Sequence, residues 1–297
     1  MLIVHHNDLD GRCAAAVVRK AMQQKNGLEI IRYVEMDYDK SFDLESVPAG
    51  GTVVVVDFSL PDNVMRTLLT EKMADVVWID HHNSAKKLAY QNLRGIRDFS
   101  EPGLCGAELA WKFFMGNAEM PMVLKLVGSY DTWRHDEPSD FAFKEGMVVE
   151  DTRPERAVWA ELLAEKSKKV EQVVETGQMM MRYRDNYCAR MVSSYGYETT
   201  FEGLSCYALN VYGFGSLAFG DRVQMYDAVI AYVHNGHQYV VSMYTEKDGV
   251  DVSKVCCAYG GGGHTKAAGF VTDELPFVRT TVEAAMGQGC SGCGVKG

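Results

Sequence analysis

Three scarcities narrow the field before any motif is considered. The first is of long apolar runs: the opening Met1-Leu2-Ile3-Val4 stops at His5, and no signal-peptide core follows. Nothing in the chain approaches the roughly 20 apolar residues of a bilayer span, so a cytoplasmic location without a membrane partner is expected. The second is of positive charge, with 30 Lys and Arg against 40 Asp and Glu and a formal net charge of −10. Proteins that grip long duplexes gain affinity by neutralising phosphates, so no long duplex nucleic acid is expected as partner. A short substrate held by a few local contacts remains compatible. The third is of paired cysteine motifs. Of eight cysteines, Cys290 and Cys293 form a CxxC in a Gly-rich tail, with no second pair to complete a zinc site. Cys13, Cys105, Cys188, Cys256 and Cys257 stand in apolar or helical contexts and are expected to be reduced, buried thiols. No internal repeat is evident.

What is present is ordinary globular composition, 47% hydrophobic and 24% charged over 297 residues, long enough for two domains. The first half alternates apolar runs with helical segments. Leu2 to His6 reads as a strand and Gly11 to about Gln24 as the helix after it. Val53 to Val56 is a buried-strand signal ending at Asp57, and Val76 to Ile79 another ending at Asp80. Between them Ser59-Leu60-Pro61-Asp62 predicts a helix start with Ser59 as the cap. Continuously apolar strands separated by helices predict an α/β fold, a parallel sheet with helices on both faces. Ligands of such sheets bind beyond the C-terminal strand ends, where His6, Asp8, Asp57, Asp80 and His81 fall. Residues from about Pro154 to Arg190 predict one or two connecting helices. Beyond Ser193, strands are expected at Ala228 to Val233 and Gln238 to Tyr244, then a helix near Val252 to Tyr259 and a Gly-rich loop.

The chemistry-bearing segments are weak singly. In Asp8-Leu9-Asp10-Gly11 the two carboxylates can face neighbouring cations, with Gly11 allowing a tight turn, but a helix cap has the same letters. Asp131 alone is indistinguishable from a polar residue ending a helix. Together, Asp8, Asp10, Asp57, Asp80 and Asp131 would crowd one rim with negative charge, which is costly unless cations neutralise it. Mixed carboxylate and imidazole ligation suits Mn²⁺ or a related ion, and two such ions can activate water and stabilise a phosphoryl transition state. Near the C-terminus, Gly260-Gly261-Gly262-Gly263 can form a backbone nest for an anion, with His264 and Lys266 beside it.

In this combination the chain resembles the DHH phosphoesterase family with a C-terminal DHHA1 domain. The motifs occur in order as Asp8-Leu9-Asp10-Gly11, Asp57, Asp80-His81-His82 and Asp131, followed by Gly261-Gly262-Gly263-His264 and Ala267-Ala268-Gly269. The resemblance is nearest to the small oligoribonuclease (nanoRNase) branch. It implies a DHH catalytic domain with connecting helices over 1–190 and a smaller α/β DHHA1 substrate-binding domain over 191–297. It further implies two divalent ions, Mn²⁺ first among them. Asp8, Asp57 and a first-motif histidine would hold one; Asp10, Asp57, His81 and Asp131 the other. His82 would contact the scissile phosphate, Asp80 would orient its neighbours, and Gly262, Gly263 and His264 would bind the substrate's terminal phosphate or nucleotide. Two positions depart from the family's pattern. Val4 stands where many relatives carry the first-motif histidine, and strand alternation favours His6 over His5 as its replacement. Ser242-Met243-Tyr244-Thr245 stands where relatives carry an Arg-Ser pair. The implied activity is hydrolysis of short single-stranded oligonucleotides or linear dinucleotides to nucleoside monophosphates. The alternatives are a cyclic-dinucleotide phosphodiesterase, a phosphatase of 3′-phosphoadenosine 5′-phosphate, and a non-catalytic nucleotide-binding regulator.

Overall fold

The computed structural model describes residues 1–26 and 30–280, so Cys290 and Cys293 lie outside the described residues. The chain divides into two compact units, Met1–Met181 and Arg182–Gly297. The first runs β1 (Leu2–His6), α1 (Leu9–Asn26), β2 (Arg32–Met36), β3 (Thr52–Val56), α2 (Asp62–Thr70), β4 (Asp75–Ile79), α3 (Gly106–Met115), α4 (Met122–Asp131), α5 (Asp140–Met147) and α6 (Val158–Leu162). A long helix, α7 (Lys168–Tyr195), carries the chain into the second unit.

Its four strands form an all-parallel sheet in the order β2-β1-β3-β4. The apolar strands divide their side chains between two cores. Ile3, Val54, Val56, Val77 and Ile79 pack with α1, α3 and α4 on one face. Leu2, Val4, Val53, Val55, Val76 and Trp78 pack with Met65 and Leu68 of α2 on the other. The two-residue period thus produces the expected helix-covered sheet. The edge strand β2 was not anticipated, because Arg32-Tyr33-Val34-Glu35-Met36 is mostly half-exposed and lacks an apolar run. The strand order reverses between β1 and β3, leaving a crevice at their C-terminal ends.

The second unit is a six-stranded mixed sheet, ordered β5-β6-β7-β8-β10-β9. It comprises β5 (Tyr197–Phe201), β6 (Leu204–Asn210), α8 (Arg222–Met225), β7 (Ala228–His234), β8 (Tyr239–Tyr244), α9 (Val252–Ala258), β9 (Gly262–His264) and β10 (Ala267–Thr272). Among the described residues, β6 and β7 are the one pair in this sheet that runs parallel. One face packs on Val252 and Cys256 of α9, the other on Cys188 and Val192 of α7.

Several local expectations need correction. Cys13, Cys105, Cys188 and Cys256 are buried free thiols, but Cys257, beside Cys256 on the short α9, is exposed. The Gly-rich segment is not a free loop throughout. Gly262–His264 is an exposed edge strand hairpinned onto β10, with Gly263 opposite Ala268. The Lys266 ammonium is engaged by the Lys247 carbonyl at 2.7 Å. No helix among the described residues is long and apolar enough to cross a membrane.

Candidate metal centre

The C-terminal ends of β1, β3 and β4 deliver His6, Asp57 and Asp80, and the turns beyond deliver Asp8, His81 and His82. Asp8 begins α1, its Oδ1 accepting the Gly11 N–H at 2.8 Å, so the helix-cap reading of this motif is realised alongside any other role. Gly11 serves close packing rather than a turn. It lies in the first turn of α1, and a methyl group there would stand 2.5 Å from the His6 carbonyl oxygen. Asp10, buried, accepts the N–H groups of Gly106 at 2.6 Å and Ala107 at 2.8 Å, with its charge at the positive end of α3. Asp131 closes α4.

These groups converge. His6 Nδ1 lies 2.6 Å from Asp8 Oδ2 and 3.8 Å from Asp57 Oδ2. His81 Nε2 lies 3.1 Å from Asp57 Oδ1, 3.5 Å from Asp131 Oδ2 and 3.7 Å from Asp10 Oδ2. Three sets offer ligand atoms within 4.8 Å of one another: His6 with Asp8 and Asp57, Asp57 with His81 and His82, and Asp10 with His81 and Asp131. Asp57 belongs to two of the three. His5 takes no part; it is buried, with Nδ1 2.7 Å from the His6 carbonyl oxygen. Strand alternation therefore turns His6, not His5, toward the cluster.

The electrostatics are those of a site short of positive charge. Burial, reinforced by Asp10, Asp8 and Asp131, pushes the Asp57 carboxyl well above the carboxylate range. Burial and the Asp10 and Asp8 charges push Asp131 up to about 8. Among the described residues, the buried side-chain atoms without a hydrogen-bond partner are His6 Nδ1, Asp57 Oδ2 and Asp131 Oδ2. His6 Nδ1 and Asp8 Oδ2 face each other as an ion pair, which raises the pKa of the imidazole. Orphaned buried acceptors are rare and costly. Oxygen and imidazole donors facing one space fit divalent ions.

Asp80 and His82 form a distinct pair. Asp80 Oδ1 accepts from the backbone N–H groups of His81 at 2.8 Å and His82 at 3.1 Å, and lies 2.8 Å from His82 Nδ1. Its Oδ2 accepts from the Ser59 hydroxyl. Ser59 therefore does not cap α2, which begins after Pro61 without a side-chain cap. Burial opposes ionisation of Asp80, but these donors outweigh it and hold its pKa below the usual value. Burial likewise opposes charge on His82, yet the bond to Asp80 and the nearby carboxylates raise its pKa.

Three features of the rim escaped sequence reasoning. Asp57 has a left-handed backbone, φ 54°, a strained conformation for a residue other than glycine. Gly106 admits Asp57 to the cluster, since a methyl group there would stand 2.5 Å from the Asp57 Cβ and 3.0 Å from Asp10 Oδ2. The exposed Tyr38 ring lies 5.7 Å from His6 and 6.3 Å from His82. A glycine before an apolar helix was the one available signal for Gly106. Nothing near Tyr38 in the sequence marks it.

The expected substrate-binding residues lie in the other unit. Gly262, Gly263 and His264 are exposed on β9, and Gly263 has φ 143°, with a built methyl 2.5 Å from the Ala268 Cα.

Comparison with known proteins agrees with this geometry. Residues 1–129, within the first unit, match the DHH family, N-terminal domain. The chain is 22% identical over 301 residues to an uncharacterised protein of Acanthamoeba polyphaga mimivirus, covering 93% of this chain and 69% of the relative. Its fold is similar to that of the pGpG-specific phosphodiesterase PggH from Vibrio cholerae, with a TM-score of 0.54 and 13% identity, covering 92% of this chain and 93% of that one. It is also similar to a DHH domain from a member of a ribosomal protein family, with a TM-score of 0.52 and 14% identity, covering 91% and 82%.

Proposed function

We propose that the protein is a two-metal phosphodiesterase that hydrolyses short oligonucleotides or linear dinucleotides to nucleoside monophosphates. The observation that carries this reading is the convergence of His6 Nδ1, Asp57 Oδ2 and Asp131 Oδ2, buried atoms whose near neighbours are one another's imidazoles and carboxylates, on one rim. His6, Asp8 and Asp57 would hold one ion, and Asp10, Asp57, His81 and Asp131 the other, with Asp57 shared. A bound pair of divalent ions supplies positive charge for the phosphoryl transition state and acidifies water for attack.

The chain's own residues do the rest. His82 binds Asp80 through Nδ1, which leaves Nε2 available for a non-bridging phosphate oxygen. Ionised Asp80 keeps that ring oriented and favours its protonated form. Asp80 is in turn fixed by Ser59 and two backbone N–H groups, so the pair is organised before substrate arrives. Gly262, Gly263 and His264 would bind the substrate's terminal phosphate or nucleotide through backbone N–H groups and an imidazole. The net charge of −10 favours a short substrate over a long polyanion.

The test is incubation with Mn²⁺ and a panel comprising pGpG, pApA, a five-nucleotide RNA, cyclic dinucleotides and 3′-phosphoadenosine 5′-phosphate. Linear dinucleotides should be cleaved fastest, with no turnover after chelation. Metal binding without turnover of any member would sink the enzymatic reading, and preference for a cyclic or mononucleotide substrate would redirect it. Full activity in an Asp80→Ala/His81→Ala variant would refute the site assignment.

A further inference from the structure

Beyond the metal ligands, the turn after α4 displays one side chain with unusual insistence. Trp133 is 77% exposed, whereas Trp78, Trp111 and Trp159 are 0%, 4% and 1% exposed. Each of those three donates its indole N–H to a backbone carbonyl, and among the described residues Trp133 makes no such bond. Its backbone is left-handed, φ 55°, which is an outlier for a bulky residue. Exposure and strain are both costs, and both fall on one residue.

The neighbours explain how Trp133 is held out. The Thr132 hydroxyl donates to the Gly128 carbonyl at 2.8 Å. Arg134 folds back onto Glu108, with donor–acceptor distances of 2.9 and 3.1 Å, and onto the Gly103 carbonyl at 2.6 Å. His135 Nδ1 lies 2.8 Å from Asp140 Oδ2, and its ring stands edge-on to Trp133 at 5.3 Å. The residues on either side are thus anchored, and the indole alone is left to solvent on a fixed stem. That stem starts at Asp131, whose carboxylate lies 3.5 Å from His81 Nε2. Two residues of chain span about 7 Å at most, so the Trp133 backbone lies within that distance of the Asp131 backbone, beside the metal centre.

We infer that Trp133 is a stacking platform for a nucleobase of the substrate, adjacent to the phosphate being cleaved. This rests on the phosphodiesterase reading and adds to it the recognition of a base, through a face that accepts any base. Stacking of this kind is sequence-tolerant, because every base presents a π-face.

Acrylamide quenching tests the inference directly, since Trp133 is the accessible tryptophan. The probe is a dinucleotide carrying methylene in place of the bridging oxygen, added to the whole protein with Mg²⁺. It should protect the fluorescence from acrylamide, while its counterpart lacking both bases should not. With a cleavable dinucleotide, Trp133→Ala should raise KM about tenfold and leave kcat within about twofold, whereas Trp133→Phe should stay within about threefold in KM. Equal protection by the base-free probe, or an unchanged KM in Trp133→Ala, overturns the inference. Turnover without protection overturns it and leaves the hydrolytic reading standing. Protection without turnover of any panel member upholds the platform and removes the hydrolytic reading.

Discussion

The rim of the first unit and the glycine hairpin of the second are built on opposite principles. At the rim, charged side chains are buried and incompletely partnered, and Asp57 and Asp131 are held away from their ordinary ionisation. In the hairpin Gly262, Gly263 and His264 are exposed, with two of them carrying no side chain. The rim stores unfavourable electrostatics that a cation would relieve. The hairpin stores nothing and offers backbone. Substitutions should therefore act differently in the two regions, through charge in one and through sterics in the other.

The largest effect should come from Asp57→Asn. It removes the proposed shared ligand while retaining a side chain that tolerates left-handed backbone. Turnover should fall by roughly 10³-fold or more, because several kcal/mol of transition-state charge stabilisation is lost. The metal-free variant should nevertheless melt higher than the parent, since the cost of keeping a buried Asp57 carboxyl protonated is gone. A lower melting temperature would show that the rim is not short of positive charge and would collapse the contrast between the two regions.

Next in size is the response to pH. Asp131 moves from an ordinary 3.8 to about 8 on folding, so the folded metal-free state binds more protons between those limits. Stability is then full below the unfolded value and is lost as pH rises toward 8. The melting temperature without metal should drop by roughly 5 °C or more across that range, and saturating Mn²⁺ should flatten the slope. Thermal scans from pH 4 to 8, with and without Mn²⁺, decide it; a metal-free curve that rises with pH would contradict the assignment.

Two neighbours of the rim should give intermediate effects. Gly106→Ala drives a methyl against the Asp57 Cβ and should weaken metal affinity about 10- to 100-fold, as read by calorimetric titration. Ser59→Ala removes one donor to Asp80 and should lower kcat about tenfold with little change in metal affinity. The smallest effect is expected in the hairpin, as a difference between adjacent glycines. Gly263→Ala meets the Ala268 backbone and has positive φ, whereas Gly262→Ala enters open space. The first should raise KM for a dinucleotide about fivefold more than the second, consistent with about 1 kcal/mol of backbone strain. Equal behaviour would mean that hairpin shape does not matter to the substrate.

How far these features could be read from sequence follows the range of the interactions that create them. Val53 to Val56 ending in Asp57, and Val76 to Ile79 ending in Asp80, announce buried strands with acidic ends, and the parallel sheet was legible from them. Ser59 misled because its local pattern is that of a helix cap, while its partner Asp80 comes later in the chain. Gly106 and Tyr38 acquire meaning only when α3 and the end of β2 are set against β3 and β1. The edge strand β2 hid because a half-exposed strand has no apolar run to declare it.

The left-handed backbone at Asp57 has a consequence for direction. In β3, Val53 and Val55 face the α2 core, and an uninterrupted pleat would send Asp57 the same way. Its Cβ instead lies against Gly106 of α3, on the side of Val54 and Val56. One backbone torsion has reversed the parity of the strand at its last step, re-aiming a carboxylate from one layer of the sandwich to the rim above the other. An insertion or deletion within β3 would therefore disturb more than register, because the position that changes sides belongs to two of the groups that could hold a metal ion.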